Sequence, residues 1–229
     1  MPTVRLMTYN IRSMRDDRAA LARVISAAAP DVVCVQEAPR FLRWRSTCAA
    51  LARMSGLVVV GGGRPAAANL VLSTLSVDVV SVSHVLFTKD RGLHQRGTAV
   101  AVFRFRGITF AVAGTHLDTR PEPRLRHIAE LDAAIAAHVP AGVPVVVAAD
   151  VNDQPGSPAW SALTRGRTDA FTATDGPIFT STARRPHQTI DGIFADSRVT
   201  VRQVSVISND DTAAASDHLP VLAEIEFPG

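Results

Sequence analysis

Val145-Val146-Val147-Ala148-Ala149-Asp150-Val151-Asn152 is the stretch on which the fold turns. Residues 143–149 read as one fully apolar strand, too short for a helix of ordinary length and rich in β-branched valine. A carboxylate and an amide follow its C-terminal end at once. A strand that spills into a loop in this way can aim polar side chains into a shared crevice.

The same arrangement recurs outward in both directions. Residues 4–10 form a strand candidate that closes on Asn10, within Thr8-Tyr9-Asn10-Ile11. Residues 32–36 form a short buried strand, followed by Glu37. His116 follows Val112-Ala113-Gly114-Thr115, Asp191 lies in Thr189-Ile190-Asp191-Gly192-Ile193, and Asp217 and His218 lie in Ser216-Asp217-His218-Leu219-Pro220. One such residue means little, whereas six such places mean more.

Between these points strand-like and helix-like stretches alternate. Helices are expected over residues 17–29, 40–54 and 123–138, the first with apolar positions at Leu21, Val24, Ile25 and Ala28 and a stop at Pro30. Strands are expected over residues 57–60, 69–73, 77–86, 98–105, 108–114, 189–194, 199–207 and 221–227. Gly61-Gly62-Gly63 reads as a turn, and Arg106-Gly107 as the tight turn of a hairpin. Many strands with few helices suggest two packed sheets covered by helices. No linker, repeat or charge block divides the chain, so a single domain over residues 1–229 is expected. Residues 176–187 are the largest irregular stretch and read as a loop over a site.

The 229 residues are 47% hydrophobic, enough for a sizeable core. No apolar run has the length needed to cross a bilayer and the N-terminus has no signal-peptide pattern, so a cytoplasmic protein is expected. The formal charge of +3 is carried almost entirely by arginine, with Lys89 the only lysine. Arginine suits an anionic substrate, but +3 over this length is no nucleic-acid footprint by itself. Two cysteines, Cys34 in an apolar run and Cys48 in a helical one, support neither a disulfide framework nor a thiolate metal site.

Asp, Glu and Asn oxygens without cysteine form a hard-ligand set suited to Mg²⁺ or Mn²⁺. Histidines near carboxylates supply a proton carrier and a donor to developing phosphate charge. Phosphate-ester hydrolysis uses these parts together with a positioned water.

The ordered set Tyr9-Asn10-Ile11, Gln36-Glu37, Gly114-Thr115-His116-Leu117, Asp150-Val151-Asn152, Ile190-Asp191 and Ser216-Asp217-His218-Leu219-Pro220 resembles the endonuclease/exonuclease/phosphatase superfamily from Asn10 to Pro220. The resemblance implies a four-layered α/β sandwich, two packed mixed β-sheets flanked by helices. It implies a divalent-metal-dependent hydrolase of phosphate esters, a phosphodiesterase or nuclease using in-line water attack. It makes Glu37 the principal metal ligand, places Asn10 beside the metal and completes that side with Asp217. Asp150 and Asn152 would orient water and phosphate, His116 would donate to a phosphate oxygen, and Asp191 would orient His218. Asn69, in Asn69-Leu70-Val71-Leu72-Ser73, and Arg96, in Gln95-Arg96-Gly97, resemble substrate-binding positions. Whether Asp150 or His218 takes the proton from water, and whether one metal or two is bound, the resemblance leaves open.

The chain departs from the family pattern at Gly192, where an aromatic is common, at Thr189, where an arginine is common, and at Arg12, where abasic-site endonucleases often carry an acid. The plainer readings give Asp118 a cap or loop role, leave Asp153, Asp210 and Asp211 solvated, make the other five histidines structural or exposed, and place Trp44 and Trp160 in helical stretches and in the core. Phosphate-ester substrates, nucleic acid among them, are the expected partners. Two alternatives stand beside the nuclease reading: a catalytically silent binding module on the same fold, and a phosphatase of small-molecule or lipid-headgroup phosphoesters.

Overall fold

The computed structural model describes residues 1–174 and 178–228; the Gly176 and Pro177 part of the expected loop lies outside the described residues. The strands are β1 (Thr3–Asn10), β2 (Val32–Gln36), β3 (Val58–Gly63), β4 (Asn69–Ser73), β5 (Asp78–Leu86), β6 (Gly97–Phe105), β7 (Ile108–His116), β8 (Val145–Asp150), β9 (Arg167–Asp169), β10 (Asp191–Asp196), β11 (Thr200–Val206) and β12 (Val221–Glu226). The helices are α1 (Arg18–Ala28), α2 (Trp44–Met54), α3 (Pro121–His138), α4 (Pro158–Leu163) and α5 (Asp210–Ala215). Two mixed six-stranded sheets result, in the orders β11-β12-β1-β2-β4-β3 and β5-β6-β7-β8-β10-β9.

Side-chain alternation along the strands builds the layers. In β1, Val4 and Leu6 face the other sheet, while Met7 and Tyr9 face α1 and its neighbours. In β8, Val146 and Ala148 face between the sheets, while Val147 and Ala149 pack with Ile128 and Leu131 of α3 and Trp160 of α4. Helices α1, α2 and α5 thus cover the first sheet and α3 and α4 the second, giving the order helix, sheet, sheet, helix. The inter-sheet layer is the largest apolar cluster, centred on residues such as Phe103, Phe110, Ile193 and Phe227. At Gly114 an added Cβ would meet Cys34 Sγ at 3.2 Å and Cβ at 3.3 Å, because the two sheets approach closely there.

Several local expectations are corrected. Gly61 to Gly63 belong to β3 instead of forming a turn; the register against β4 shifts between Val59 and Gly61. Gly62, at φ +96°, would place a Cβ 2.2 Å from the Asn69 carbonyl oxygen, so the close pairing requires glycine. Helix α2 begins at Trp44 rather than Arg40, because Arg43 before it is left-handed (φ +58°). Strand β10 begins at Asp191, two residues later than expected. The short elements α5 and β9 carry too few residues for a periodic signal and were not expected, while α4 is the helical stretch expected around Trp160.

Candidate active site

The parity that builds the core also builds the site. Asn10 shares the inward face of β1 with Val4 and Leu6, and Asp150 shares that of β8 with Val146 and Ala148. His116 shares the inward face of β7 with Phe110 and Val112, and Asp191 that of β10 with Ile193 and Ala195. The register aligns His116 with Asp150 across the parallel β7–β8 pair, and Asp150 with Asp191 across the antiparallel β8–β10 pair. Three titratable groups therefore stand side by side in one row, at the end of the inter-sheet layer. Strands β1 and β2, also parallel, end opposite this row with Asn10 and Gln36 in register.

Glu37 breaks the alternation. Its place after Gln36 would turn it toward the helices, but its backbone is left-handed (φ +52°). The side chain instead lines a cleft of about 280 Å³ that also exposes His116, Asp150, Asn152, Arg96 and His218. Asn152, at φ +53°, turns the chain after β8 in the same way. Left-handed backbone at non-glycine residues is uncommon and collects at functional sites.

Asp150 is the hub. It is 1% exposed; Oδ2 accepts from Asn10 Nδ2 (2.8 Å) and Oδ1 from the Asn152 backbone N–H (3.2 Å). His116 Nε2 lies 3.3 Å from Asp150 Oδ2 and 2.9 Å from the Asn152 amide, which also donates to the Leu117 carbonyl (3.0 Å). Burial pushes the His116 imidazole down to about 3, against the pull of Asp150, so the ring is neutral.

His218 is the opposite case. Burial alone would lower it, but the charge and hydrogen bond of Asp191 and the charges of Asp150 and Asp217 outweigh that and push it up to about 10. Asp191 is 1% exposed and holds His218 Nδ1 between its two oxygens, at 2.9 and 3.1 Å. His218 Nε2 lies 3.9 Å from Asp150 Oδ2. Asp150, Asp191 and His218 bring ligand atoms within 4.8 Å of one another, a spacing that a metal ion would accept. The imidazolium proton already supplies positive charge between those two carboxylates.

Glu37 provides the better cation site. It is a half-buried carboxylate on the cleft wall whose hydrogen bond, from Asn10 Nδ2, is long at 3.3 Å. No cationic side chain lies within ion-pair distance of it among the described residues. A hard divalent cation fits such an oxygen donor. Asn10 turns its NH₂ toward Glu37 and Asp150, while its oxygen accepts the Arg12 N–H (3.0 Å).

Two expected positions stand elsewhere. Asp217 is paired with Arg12 (3.4 Å) and lines a separate groove with Arg12, Asp16 and Arg184. Asn69 is fully buried and does not line the cleft; its NH₂ donates to the Ala66 (2.8 Å) and Gly97 (2.9 Å) carbonyls and so fixes the backbone beneath it. Arg96 does line the cleft, 3.9 Å from Asp118 Oδ2.

Asp118, expected as a cap, accepts from the Arg120 N–H (2.9 Å) and also balances Arg96. Asp153 is not free in solvent but pairs with the buried Arg124, which also donates to the Asp118 (2.8 Å) and Thr119 (2.6 Å) carbonyls. Arg124 thereby ties the loop after β7 to the loop after β8, a role invisible in its helical sequence context. Ser216 Oγ donates to the Asn10 carbonyl (2.7 Å) and accepts the His218 N–H (3.3 Å). Thr180 Oγ accepts the Asp191 N–H (3.2 Å), while its carbonyl accepts the Leu219 N–H (2.7 Å). These contacts hold the His218 loop against β1 and β10. Ser216 had a signal, its place beside Asp217-His218, whereas Thr180 had only its place in the irregular stretch 176–187.

Two face-to-face sheets with carboxylates, amides and histidines gathered at one end define a phosphoesterase-type α/β sandwich. The model of the Endonuclease/Exonuclease/phosphatase family matches residues 7–218, and the chain belongs to that family. Its members are hydrolases acting on phosphoesters and generally depend on a divalent metal. The fold is similar to that of an endonuclease/exonuclease/phosphatase from Bacteroides vulgatus (TM-score 0.84, 21% identity, 100% of each chain covered). It is also similar to the Bacteroides thetaiotaomicron mannosyl-6-phosphatase Bt3783 (0.83, 15%, 98% of this chain and 100% of that one). A third similar structure is D. rerio TDP2 complexed with single strand DNA product (0.75, 17%, 99% and 100%). At these identities the likeness is one of fold. No curated protein matches the chain. No helix among the described residues is long and apolar enough to cross a membrane.

Proposed function

We propose that the chain is a divalent-metal-dependent phosphodiesterase with nuclease activity, hydrolysing phosphate esters by in-line attack of water. The observation that carries this reading is the convergence on Asp150 of hydrogen bonds from Asn10 in one sheet and Asn152 in the other, with His116 Nε2 at 3.3 Å and His218 beside it, in one cleft with Glu37.

A bound Mg²⁺ or Mn²⁺ supplies a Lewis acid for the phosphoryl oxygens, and Glu37 is the carboxylate that would hold it, with Asn10 beside it. Asp217, already engaged by Arg12, is not needed for that ion. Asp150 is fixed by the Asn10 and Asn152 N–H groups, orients the attacking water and accepts its proton. Asp191 and Asp150 favour the protonated form of His218, which suits a donor better than the base. As an imidazolium it donates from Nε2 to the charge that builds on the phosphoryl or leaving oxygen. Asp191 is a positioning residue that holds the ring and its charge in place. His116 is neutral and serves as a hydrogen-bond partner of the phosphate, with Asn152 beside it. Arg96 adds a cation at the cleft wall.

The test is release of nitrophenolate from bis(p-nitrophenyl) phosphate, alongside single-stranded and duplex DNA, RNA, inositol phosphates and sphingomyelin, each with Mg²⁺, Mn²⁺ or EDTA. Hydrolysis of a diester that needs metal and vanishes in Asp150→Ala is the expected result. Cleavage of monoesters alone would favour a small-molecule phosphatase. No hydrolysis of any compound, with no Mg²⁺ binding by calorimetry, would sink the reading and leave a binding module.

A further inference from the structure

The charges lining the cleft divide into two groups. His218 faces Asp191 at 2.9 Å and Arg96 faces Asp118 at 3.9 Å, so each cation has its carboxylate. Glu37 and Asp150 face the cleft where a divalent cation is proposed. Arg15 and Arg40 also line the cleft, yet neither has a carboxylate within 4.0 Å or a side-chain hydrogen bond among the described residues. Both positive charges are in excess of what one phosphodiester would neutralise.

Their placement is built into the backbone. Arg15 ends the turn after β1, where Arg12, Ser13 and Met14 are all left-handed (φ +46°, +55° and +56°). Arg40 follows the left-handed Glu37 by three residues. The chain leaves the two site strands by strained turns and each time brings an arginine to the lining of the cleft. Arg40 is half-buried, with its guanidinium 5.5 Å from the centre of the Phe41 ring, which limits its freedom before any ligand arrives.

We propose that Arg15 and Arg40 form a second anion subsite, which takes a phosphate group on the same molecule as the scissile ester. This rests on the phosphoesterase reading of the cleft. The substrate class is then a multiply phosphorylated compound, either a nucleic-acid strand with successive phosphates or a small bisphosphate. A guanidinium pair grips a second phosphate through charge-assisted, bidentate hydrogen bonds.

The experiment has a binding arm and a kinetic arm. Propane-1,3-diol bisphosphate and propyl phosphate are titrated by calorimetry into wild type, Arg15→Gln/Arg40→Gln and, as a charge-matched control, Arg23→Gln/Arg202→Gln. The bisphosphate should bind wild type and the control about tenfold tighter than the monophosphate, and the gap should close in the double variant. Arg15→Lys/Arg40→Lys should recover part of the gap through charge alone. The dinucleotides TpT, pTpT and TpTp are then compared as substrates. A KM lower for pTpT or TpTp than for TpT, with the difference lost in the double variant, assigns the second phosphate to a strand. A gap seen with the bisphosphate alone assigns the small molecule. Equal binding of both propyl compounds to wild type, or a gap unaltered in the double variant, overturns the subsite. The calorimetric arm gives that answer whether or not the dinucleotides are hydrolysed, so loss of the subsite and loss of the phosphoesterase reading are told apart.

Discussion

Asp150 Oδ2 accepts a hydrogen bond from Asn10 Nδ2 at 2.8 Å, across the seam between the two sheets and 140 residues along the chain. Each residue ends a strand of a parallel pair, β1 beside β2 and β8 beside β7, so the bond joins the C-terminal ends of both pairs. The site forms only where the two sheets are packed in register against each other.

Asp150→Ala removes the hub of the network. Turnover on bis(p-nitrophenyl) phosphate should fall by about two to four orders of magnitude, the range for losing a positioned base. Circular dichroism should be unchanged, because the site lies at the end of the core rather than in it. Near-wild-type rates would remove Asp150 from the mechanism.

Asp191→Asn separates positioning from packing. The carboxylate is the main group raising His218, so its loss should let burial pull the imidazole down. If the imidazolium is the acting form, activity is lost as pH rises through its pKa. The alkaline limb of the rate profile, near pH 10 in wild type, should therefore move to lower pH in the variant. A limb that stays in place, with only a uniform drop in rate, would contradict the proton assignment.

Glu37→Gln and Asp217→Asn discriminate between the two sides expected to bind metal. Calorimetric Mn²⁺ affinity should fall about tenfold or more in Glu37→Gln, since a charged oxygen ligand is lost. In Asp217→Asn it should stay within about twofold, because that carboxylate already faces Arg12 at 3.4 Å. The reverse order would return Asp217 to the metal.

His116 gives the fold an acid-side pH dependence. Its folded value is depressed to about 3 from the ordinary 6.5, so the unfolded chain binds the extra proton between those values. Its contribution to stability is fully present above pH 6.5 and is lost as pH falls toward 3. Urea midpoints of His116→Asn should therefore decline less steeply than wild type between pH 6.5 and 4. Parallel curves would show that His116 is not held neutral in the folded state.

Most of the fold and half of the site's logic were legible in the chain. The strands announced themselves as short apolar β-branched runs, and the site residues as polar side chains at their ends. The apolar run at residues 143–149 is uniform, however, so its sequence does not say which side of the strand meets the other sheet. Packing decides that parity, and with it that Asp150, His116 and Asp191 share one face.

Other decisions were tertiary as well. Strand parity alone would turn Glu37 toward the helices, and its left-handed backbone overrides that. The pairing of Asp217 with Arg12, the burial of Asn69 under the cleft and the tether from Arg124 to Asp153 all depend on chain segments brought together from afar. What the sequence determined by itself was which chemistry the chain carries, because residue types and their order are local facts. Which of those residues touch, and which arginines are left facing the cleft, only the packed sheets decided, because distance and partnership are properties of the folded whole.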